Sequence, residues 1–114
     1  MEFDINRPIY LQIAEAFCNR ILSGELKGGD RIPSVREYGA EIGVNPNTVA
    51  RSYDVLTGDG VIYNKRGIGF YVCEDAASCI RKAEKKRFLK EELPAFVQRA
   101  KLLDIDMDEL KKLL

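Results

Sequence analysis

The segment from Gly43 to Tyr53, GVNPNTVARSY, concentrates side chains that can form hydrogen bonds with a partner. An asparagine amide both donates and accepts, serine and threonine hydroxyls do the same, and an arginine guanidinium presents five donors in a planar fork. Such groups match base edges and phosphate oxygens, because asparagine can pair with adenine and arginine with guanine or phosphate. The candidate contact residues of this segment are Asn45, Pro46, Asn47, Thr48, Arg51 and Ser52.

A helix over residues 45–59 is predicted to carry these side chains. Asn45 suits the N-cap, and a proline directly after it suits the first helical position, where the missing N–H costs nothing. Val49, Tyr53 and Leu56 follow at i, i+4 and i+7, which defines a buried face. The polar residues are therefore expected to point away from the core, although Asn47 and Thr48 would also fit a pure capping role.

A shorter helix is predicted immediately before this one. Ser34 with Glu37 three residues later forms a capping-box pattern, and Gly43 ends the helix. Arg36 falls on its exposed side, beside Ser34. The alternative for Arg36 is a surface ion pair with Glu37 or Glu41.

A β-hairpin over residues 61–73 is predicted to follow the polar helix. The runs VIYN and FYVC have strand composition, and the sequence KRGIG joins them. Lys65, Arg66 and Gly67 make a basic tip that suits phosphate, or else a solvated turn.

The order of elements predicts a winged helix-turn-helix domain over residues 1–74, mainly α with a small β-hairpin. An amphipathic helix from Pro8 to about Ser23 precedes the two capped helices, and the hairpin closes the set. In such a domain the third helix places its N-terminal half in the major groove of double-stranded DNA.

Composition argues against enzymatic chemistry and against metal or cofactor binding. The chain has no histidine, no glycine-rich phosphate loop and no nucleophile beside a base. Cys18, Cys73 and Cys79 lack metal-ligand spacing and are expected to fill the core. The 18 basic and 18 acidic residues give no overall attraction to nucleic acid, so phosphate binding requires a local patch.

No segment has the composition of a membrane span or signal peptide. No apolar run approaches the roughly 18 residues that a span requires, and the N-terminus is acidic. The protein is therefore expected to be cytoplasmic.

Residues 75–114 are predicted to form a helical dimerisation tail. Pro94 suits the start of a new helix, and Asp106 suits the N-cap of the last helix. About 40 residues cannot enclose a typical ligand cavity, so a small-molecule effector domain is not expected. A wide apolar stripe needs a partner, most simply the same tail of a second subunit. Its residues are Leu89, Leu93, Phe96, Val97, Ala100, Leu103, Met107, Leu110 and Leu113.

The basic run RKAEKKR over residues 81–87 lies within this tail. It fits a solvated helix face, and the alternative is a supplementary strip that contacts phosphate.

The sequence RIPSVREYGAEIGVNPNTVARSYDVLTGDGVIYNKRGIGFYV, from Arg31 to Val72, resembles the DNA-binding domain of the GntR family of bacterial transcription regulators. The segments SVRE and NPNTVAR and the short helical tail resemble its YtrA-type subfamily. The resemblance implies that Arg36 contacts DNA backbone or a base. It also implies that the recognition helix starts at residues 45–48, and that the tip at residues 65–67 enters the minor groove.

The recognition helix and the wing depart from the family pattern. Ala50 stands where many members carry an arginine, and Ile68 and Phe70 replace a basic residue and a threonine of the wing. The wing is accordingly expected to contribute less than the recognition helix.

These observations together predict a homodimeric, sequence-specific DNA-binding repressor that binds a palindromic operator. The alternative is a winged-helix module that binds protein without DNA.

Overall fold

Three helices and a small antiparallel sheet build the first of two structural units. The computed structural model describes every residue from Met1 to Leu114, and the units are Met1–Arg81 and Lys82–Leu114. The elements of the first unit are α1 (Ile9–Leu22), β1 (Arg31–Ile32), α2 (Val35–Ile42), α3 (Pro46–Gly58), β2 (Ile62–Lys65), β3 (Gly69–Val72) and the start of α4 (Ala76–Arg87). The predicted fold class, mainly α with a small β-hairpin, is confirmed.

The sheet contains a strand that the sequence analysis did not predict. Its order is β1-β3-β2, with all pairs antiparallel, so β3 is the central strand. In β1, Arg31 faces Tyr71 and Ile32 faces Phe70. A strand of two residues is too short to show the alternation of apolar and polar residues that predicts a strand, so only its pairing with β3 defines it.

The core lies where α1, α3 and the sheet meet. Its fully buried large side chains are Ile13, Phe17, Val49, Tyr53, Leu56, Val61, Ile62 and Val72. The predicted buried face of α3 is therefore confirmed. Each such side chain contributes roughly 1.5–3 kcal/mol of hydrophobic free energy on burial, which fixes α3 against α1.

The start of α1 differs from the sequence expectation by one residue. Pro8 was expected at the first helical position, but its ψ of 130° is extended, so it occupies the N-cap and the helix begins at Ile9. The Pro8 carbonyl accepts the N–H of Gln12 at 3.3 Å, as an N-cap carbonyl does.

The first unit also extends beyond the expected boundary at residue 74. Ala76 and Ile80, in the first turns of α4, are 1% and 2% exposed and belong to the core of the first unit. Burial of these two side chains places the end of the unit at Arg81.

The second unit is helical. Its elements are the end of α4, a π-helical turn (Phe88–Glu92), α5 (Leu93–Leu102) and α6 (Met107–Leu113). Pro94 has no N–H to donate, and the neighbouring Leu93 N–H bonds to the Phe88 carbonyl five residues back. Asp106 caps α6 by accepting the N–H of Glu109 at 2.8 Å, as predicted.

None of the helices combines the length and the apolar content that a transmembrane span requires.

Candidate nucleic-acid interface

A tight turn between α2 and α3 sets the position of the candidate interface. Gly43 adopts φ of 71°, and the N–H of Val44 bonds to the Gly39 carbonyl at 2.8 Å. This pair of features is typical of a helix that ends in a left-handed residue and reverses at once. A side chain at Gly39 would meet the Val44 carbonyl at 2.6 Å, so glycine allows the two helices to approach closely.

The capping box predicted for α2 is present. The Ser34 hydroxyl accepts the Glu37 N–H at 3.1 Å, and the Glu37 carboxylate accepts the Ser34 N–H at 3.4 Å. Since Glu37 is used in this way, it does not pair with Arg36, which is exposed and forms no ion pair with Glu41 either. The guanidinium of Arg36 therefore keeps its donors for an external partner.

The start of α3 presents its polar groups to solvent. The Asn45 side chain accepts the N–H of Asn47 at 2.8 Å and so performs the capping, with Pro46 in the first turn. Asn45, Pro46 and Asn47 are exposed and Thr48 is half-buried. Because Asn45 satisfies the helix end, the Asn47 amide is not needed as a cap.

Ser52 requires a correction, because it was predicted to contact DNA and is 0% exposed. Its hydroxyl donates to the Tyr10 carbonyl at 2.7 Å and lies 3.2 Å from the Thr48 carbonyl. The residue is covered by α1 and joins that helix to α3, so it offers no group to a ligand.

Arg51 lies on the exposed side of α3 against a residue of α1. The carbon of its guanidinium is 4.0 Å from the centroid of the Tyr10 ring. A cation over an aromatic face is stabilised by roughly 0.5–1 kcal/mol at an exposed site. Arg51 forms no ion pair within the chain.

Two open clefts flank the N-terminal half of α3. One, of about 600 Å³, is lined by Pro8, Ile9, Tyr10, Asn47, Thr48 and Arg51. The other, of about 580 Å³, is lined by Val35, Arg36, Asn45, Pro46, Asn47 and Ala50. Six predicted contact residues of α2 and α3 therefore line one surface, and Asn47 borders both clefts.

The wing tip is basic and exposed, as Lys65, Arg66 and Gly67 all reach solvent. The turn is closed by the Ile68 N–H, which bonds to the Lys65 carbonyl at 2.9 Å, while Gly67 adopts φ of 78°. Ile68 is 51% exposed, so the tip also carries an apolar side chain.

Arg31 braces this tip and was not predicted. It donates to the Ile68 carbonyl at 3.0 Å, and it lies so close to Gly69 that an added Cβ would be 3.2 Å from its Nε. Arg31 and the wing are 37 residues apart, and no local pattern marks the contact. Tyr10 was likewise not predicted as part of the candidate interface.

The predicted stripe of the second unit is mainly exposed. Leu89, Leu93, Phe96, Leu103, Met107 and Leu113 are between 38% and 79% exposed, and Val97 and Leu110 are half-buried. Three further apolar residues not included in the prediction, Phe88, Leu102 and Leu114, are exposed as well.

Ala100 is a correction, because it was predicted in the dimer surface and is only 6% exposed. The chain turns over it after α5: Asp104 adopts φ of 57°, and the Ile105 N–H bonds to the Ala100 carbonyl at 2.9 Å. Such a turn folds a hydrophobic residue back onto the last helical turn, which removes Ala100 from the surface.

Comparisons with known proteins agree with this geometry. Residues 9–72 match the model of the family described as bacterial regulatory proteins, gntR family. The chain is 37% identical over 109 residues to the HTH-type transcriptional regulator YhcF of Bacillus subtilis, covering 96% of this chain and 88% of the relative. It is 36% identical to the HTH-type transcriptional repressor YtrA of the same species, covering 90% and 78%.

A solved structure is also similar over most of the chain. The crystal structure of a GntR-family transcriptional regulator from Bacteroides thetaiotaomicron superposes with a TM-score of 0.79 at 48% identity. The match covers 91% of this chain and 90% of that one.

Proposed function

The chain belongs to the gntR family of bacterial regulatory proteins, and from this premise we propose that it represses transcription as a homodimer bound to a palindromic operator. It is a DNA-binding transcription regulator with a winged helix-turn-helix domain, and its relatives are regulators and not enzymes. Since the protein acts on DNA, we infer that it works in the cytoplasm.

One observation supports DNA contact by α2 and the N-terminal half of α3: polar side chains there are not engaged in ion pairs or helix capping within the protein. Arg36, Asn47 and Arg51 are exposed, border the two clefts, and are not needed for ion pairing or capping within the chain. Asn47 can pair with adenine, and each arginine can bond guanine or phosphate. Further contacts to the DNA backbone come from Asn45, Pro46, Thr48 and the Ser34 hydroxyl.

The wing adds a second, mainly electrostatic contact. Lys65 and Arg66 reach the phosphates beside the minor groove, with Gly67 letting the backbone approach. Ile68 at the tip offers no donor, so the wing contributes less than α3.

The rival function, a winged helix that binds protein, fits the surface less well. Protein-binding surfaces concentrate their affinity in aromatic and aliphatic anchors. The exposed side of α3 carries asparagine, arginine and aspartate instead.

The dimer is assigned to the second unit. Its exposed apolar residues are too numerous to be the single apolar residues found scattered on an ordinary protein surface. Pairing of this surface with the same surface of a second subunit is the simplest way to bury them. Two domains held in this way bind inverted half-sites whose centres lie about one helical turn, or a small multiple, apart. Repression is supported by the relative YtrA, which is named a transcriptional repressor.

The test compares the full chain with a truncation after Arg81. This boundary keeps Ala76 and Ile80 and hence the core of the first unit. The full chain is expected to sediment as a dimer and to bind a palindromic operator, selected from random oligonucleotides, 10²-fold or more tightly than the truncated chain. Binding to one half-site serves as the control and should be equal for both proteins. A truncated chain that remains dimeric and binds the full operator as tightly would disprove the assignment.

A further inference from the structure

We propose that Tyr10 is a positioning residue that holds the Arg51 guanidinium ready for DNA. The proposal rests on the DNA contact proposed above for Arg51 and adds a residue of α1 to it. The guanidinium carbon lies 4.0 Å from the centroid of the Tyr10 ring, close enough for the planar group to lie against the aromatic face.

Contact with the ring leaves the hydrogen-bonding capacity of Arg51 intact. A guanidinium donates through N–H groups in its own plane, whereas an aromatic ring interacts with it through its face. Arg51 forms no ion pair in the chain, so no carboxylate occupies those donors. The ring restricts the side chain and the donors stay available to guanine or phosphate.

The position of Tyr10 is itself fixed by the residue next to Arg51. The Ser52 hydroxyl donates to the Tyr10 carbonyl at 2.7 Å and is fully buried. Two neighbouring residues of α3 therefore hold Tyr10 by its backbone and by its ring. The hydrogen bond fixes the backbone from which the Tyr10 ring extends, and the ring itself is held by its contact with Arg51.

Restriction before binding raises affinity, because a long side chain loses conformational entropy when it is immobilised at an interface. Arg36 provides the internal comparison. It is exposed and forms neither an ion pair nor a cation–π contact, so it must lose this entropy on binding.

The experiment is a double-mutant cycle on operator binding. Tyr10→Leu removes the ring and is expected to weaken binding about 3- to 10-fold, the equivalent of ordering one long side chain. In an Arg51→Ala background the same change should have little further effect, because there is no guanidinium left to position. Tyr10→Phe keeps the ring and should bind like the wild type. In the control cycle, Tyr10→Leu should be additive with Arg36→Ala.

A measurement on the free protein tests the idea without DNA and without relying on the stability of a variant. The NMR order parameter of the Arg51 Nε–H should exceed that of Arg36 in the wild type, and Tyr10→Phe should preserve it. Equal order parameters, or additive effects of Tyr10→Leu and Arg51→Ala on affinity, would overturn the positioning role. A loss in Tyr10→Phe equal to that in Tyr10→Leu would also overturn it, since the hydroxyl would then be the contact. Failure of the wild type to select any DNA would refute the proposed function instead, and the order parameters would still decide the role of Tyr10.

Discussion

Tyr53 connects three parts of the first unit through one side chain. Its ring packs edge-on against Phe17 and Phe70, with centroids 5.7 Å and 4.9 Å away. Its hydroxyl donates to the Pro33 carbonyl at 2.6 Å. Burial raises the pKa of Tyr53 well above its usual value, with smaller contributions from Tyr38 and nearby carboxylates.

Alkaline pH is therefore expected to destabilise the protein through Tyr53. The folded pKa is raised, so the stabilisation is complete below the unfolded pKa of about 10 and is lost as pH rises from there toward the folded pKa. The loss approaches 1.4 kcal/mol per pH unit for this one group. The free energy of unfolding, measured in urea between pH 8 and pH 11, tests this dependence of stability on pH.

Tyr53→Phe is the matched variant. At pH 8 it should be less stable by about 1 kcal/mol, because the bond to Pro33 is lost. Its stability should fall less steeply above pH 10, keeping only the part due to other groups such as Tyr38, whose pKa is also raised by burial. Parallel pH profiles for the two proteins would contradict this role of Tyr53.

Two helical glycines are expected to respond oppositely to alanine. Gly39 of α2 is buried, and its Cβ would meet the Val44 backbone oxygen at 2.6 Å, which forces α2 and α3 apart. Gly58 of α3 has an ordinary backbone conformation and open space around it.

Gly39→Ala should accordingly destabilise the domain despite alanine's better helix propensity, whereas Gly58→Ala should stabilise it by roughly 0.5–1 kcal/mol. Denaturant unfolding of both variants measures the difference. A stabilised Gly39→Ala variant would show that the turn tolerates the added methyl group.

The wing is expected to act mainly through charge. A Lys65→Ala, Arg66→Ala double variant should lose about 1–2 kcal/mol of operator affinity at low salt and much less at high salt, because salt screens phosphate contacts. Loss of all binding at every salt concentration would make the wing a main determinant.

The matched control removes the same charge from α4, as Lys85→Ala with Lys86→Ala. Both lysines are exposed. Unchanged affinity fits a solvated helix face, whereas a loss equal to that of the wing variant would identify residues 81–87 as a phosphate-contacting strip.

At the scale of the whole molecule, the proposed dimer depends on the exposed apolar residues of the second unit. Phe96 is 57% exposed, so its side chain contributes little to packing within its own chain. Phe96→Glu should therefore leave the monomer folded while placing a charge in the dimer contact, where an unpaired charge is costly.

The expected result is a monomer by sedimentation and a loss of 10²-fold or more in affinity for the full operator, with half-site binding unchanged. Gln98→Glu makes the same change of charge at an exposed position outside the stripe and should remain dimeric. A dimeric Phe96→Glu variant would place the contact elsewhere.

The sequence alone determined the features whose causes are local. The caps at Ser34, Asn45 and Asp106 were predictable because a cap satisfies N–H groups two or three residues away. The order of three helices and a hairpin followed from periodicity and glycine positions, and it was sufficient to predict the winged helix-turn-helix fold.

Tertiary structure decided the features whose partners lie far along the chain. Ser52 falls beside the buried face of α3, and only the packing of α1, 42 residues away, covers it. β1 exists because β3 pairs with it, and Tyr10 meets Arg51 because α1 packs on α3. In each case the deciding contact is non-local, and neither spacing nor composition records it.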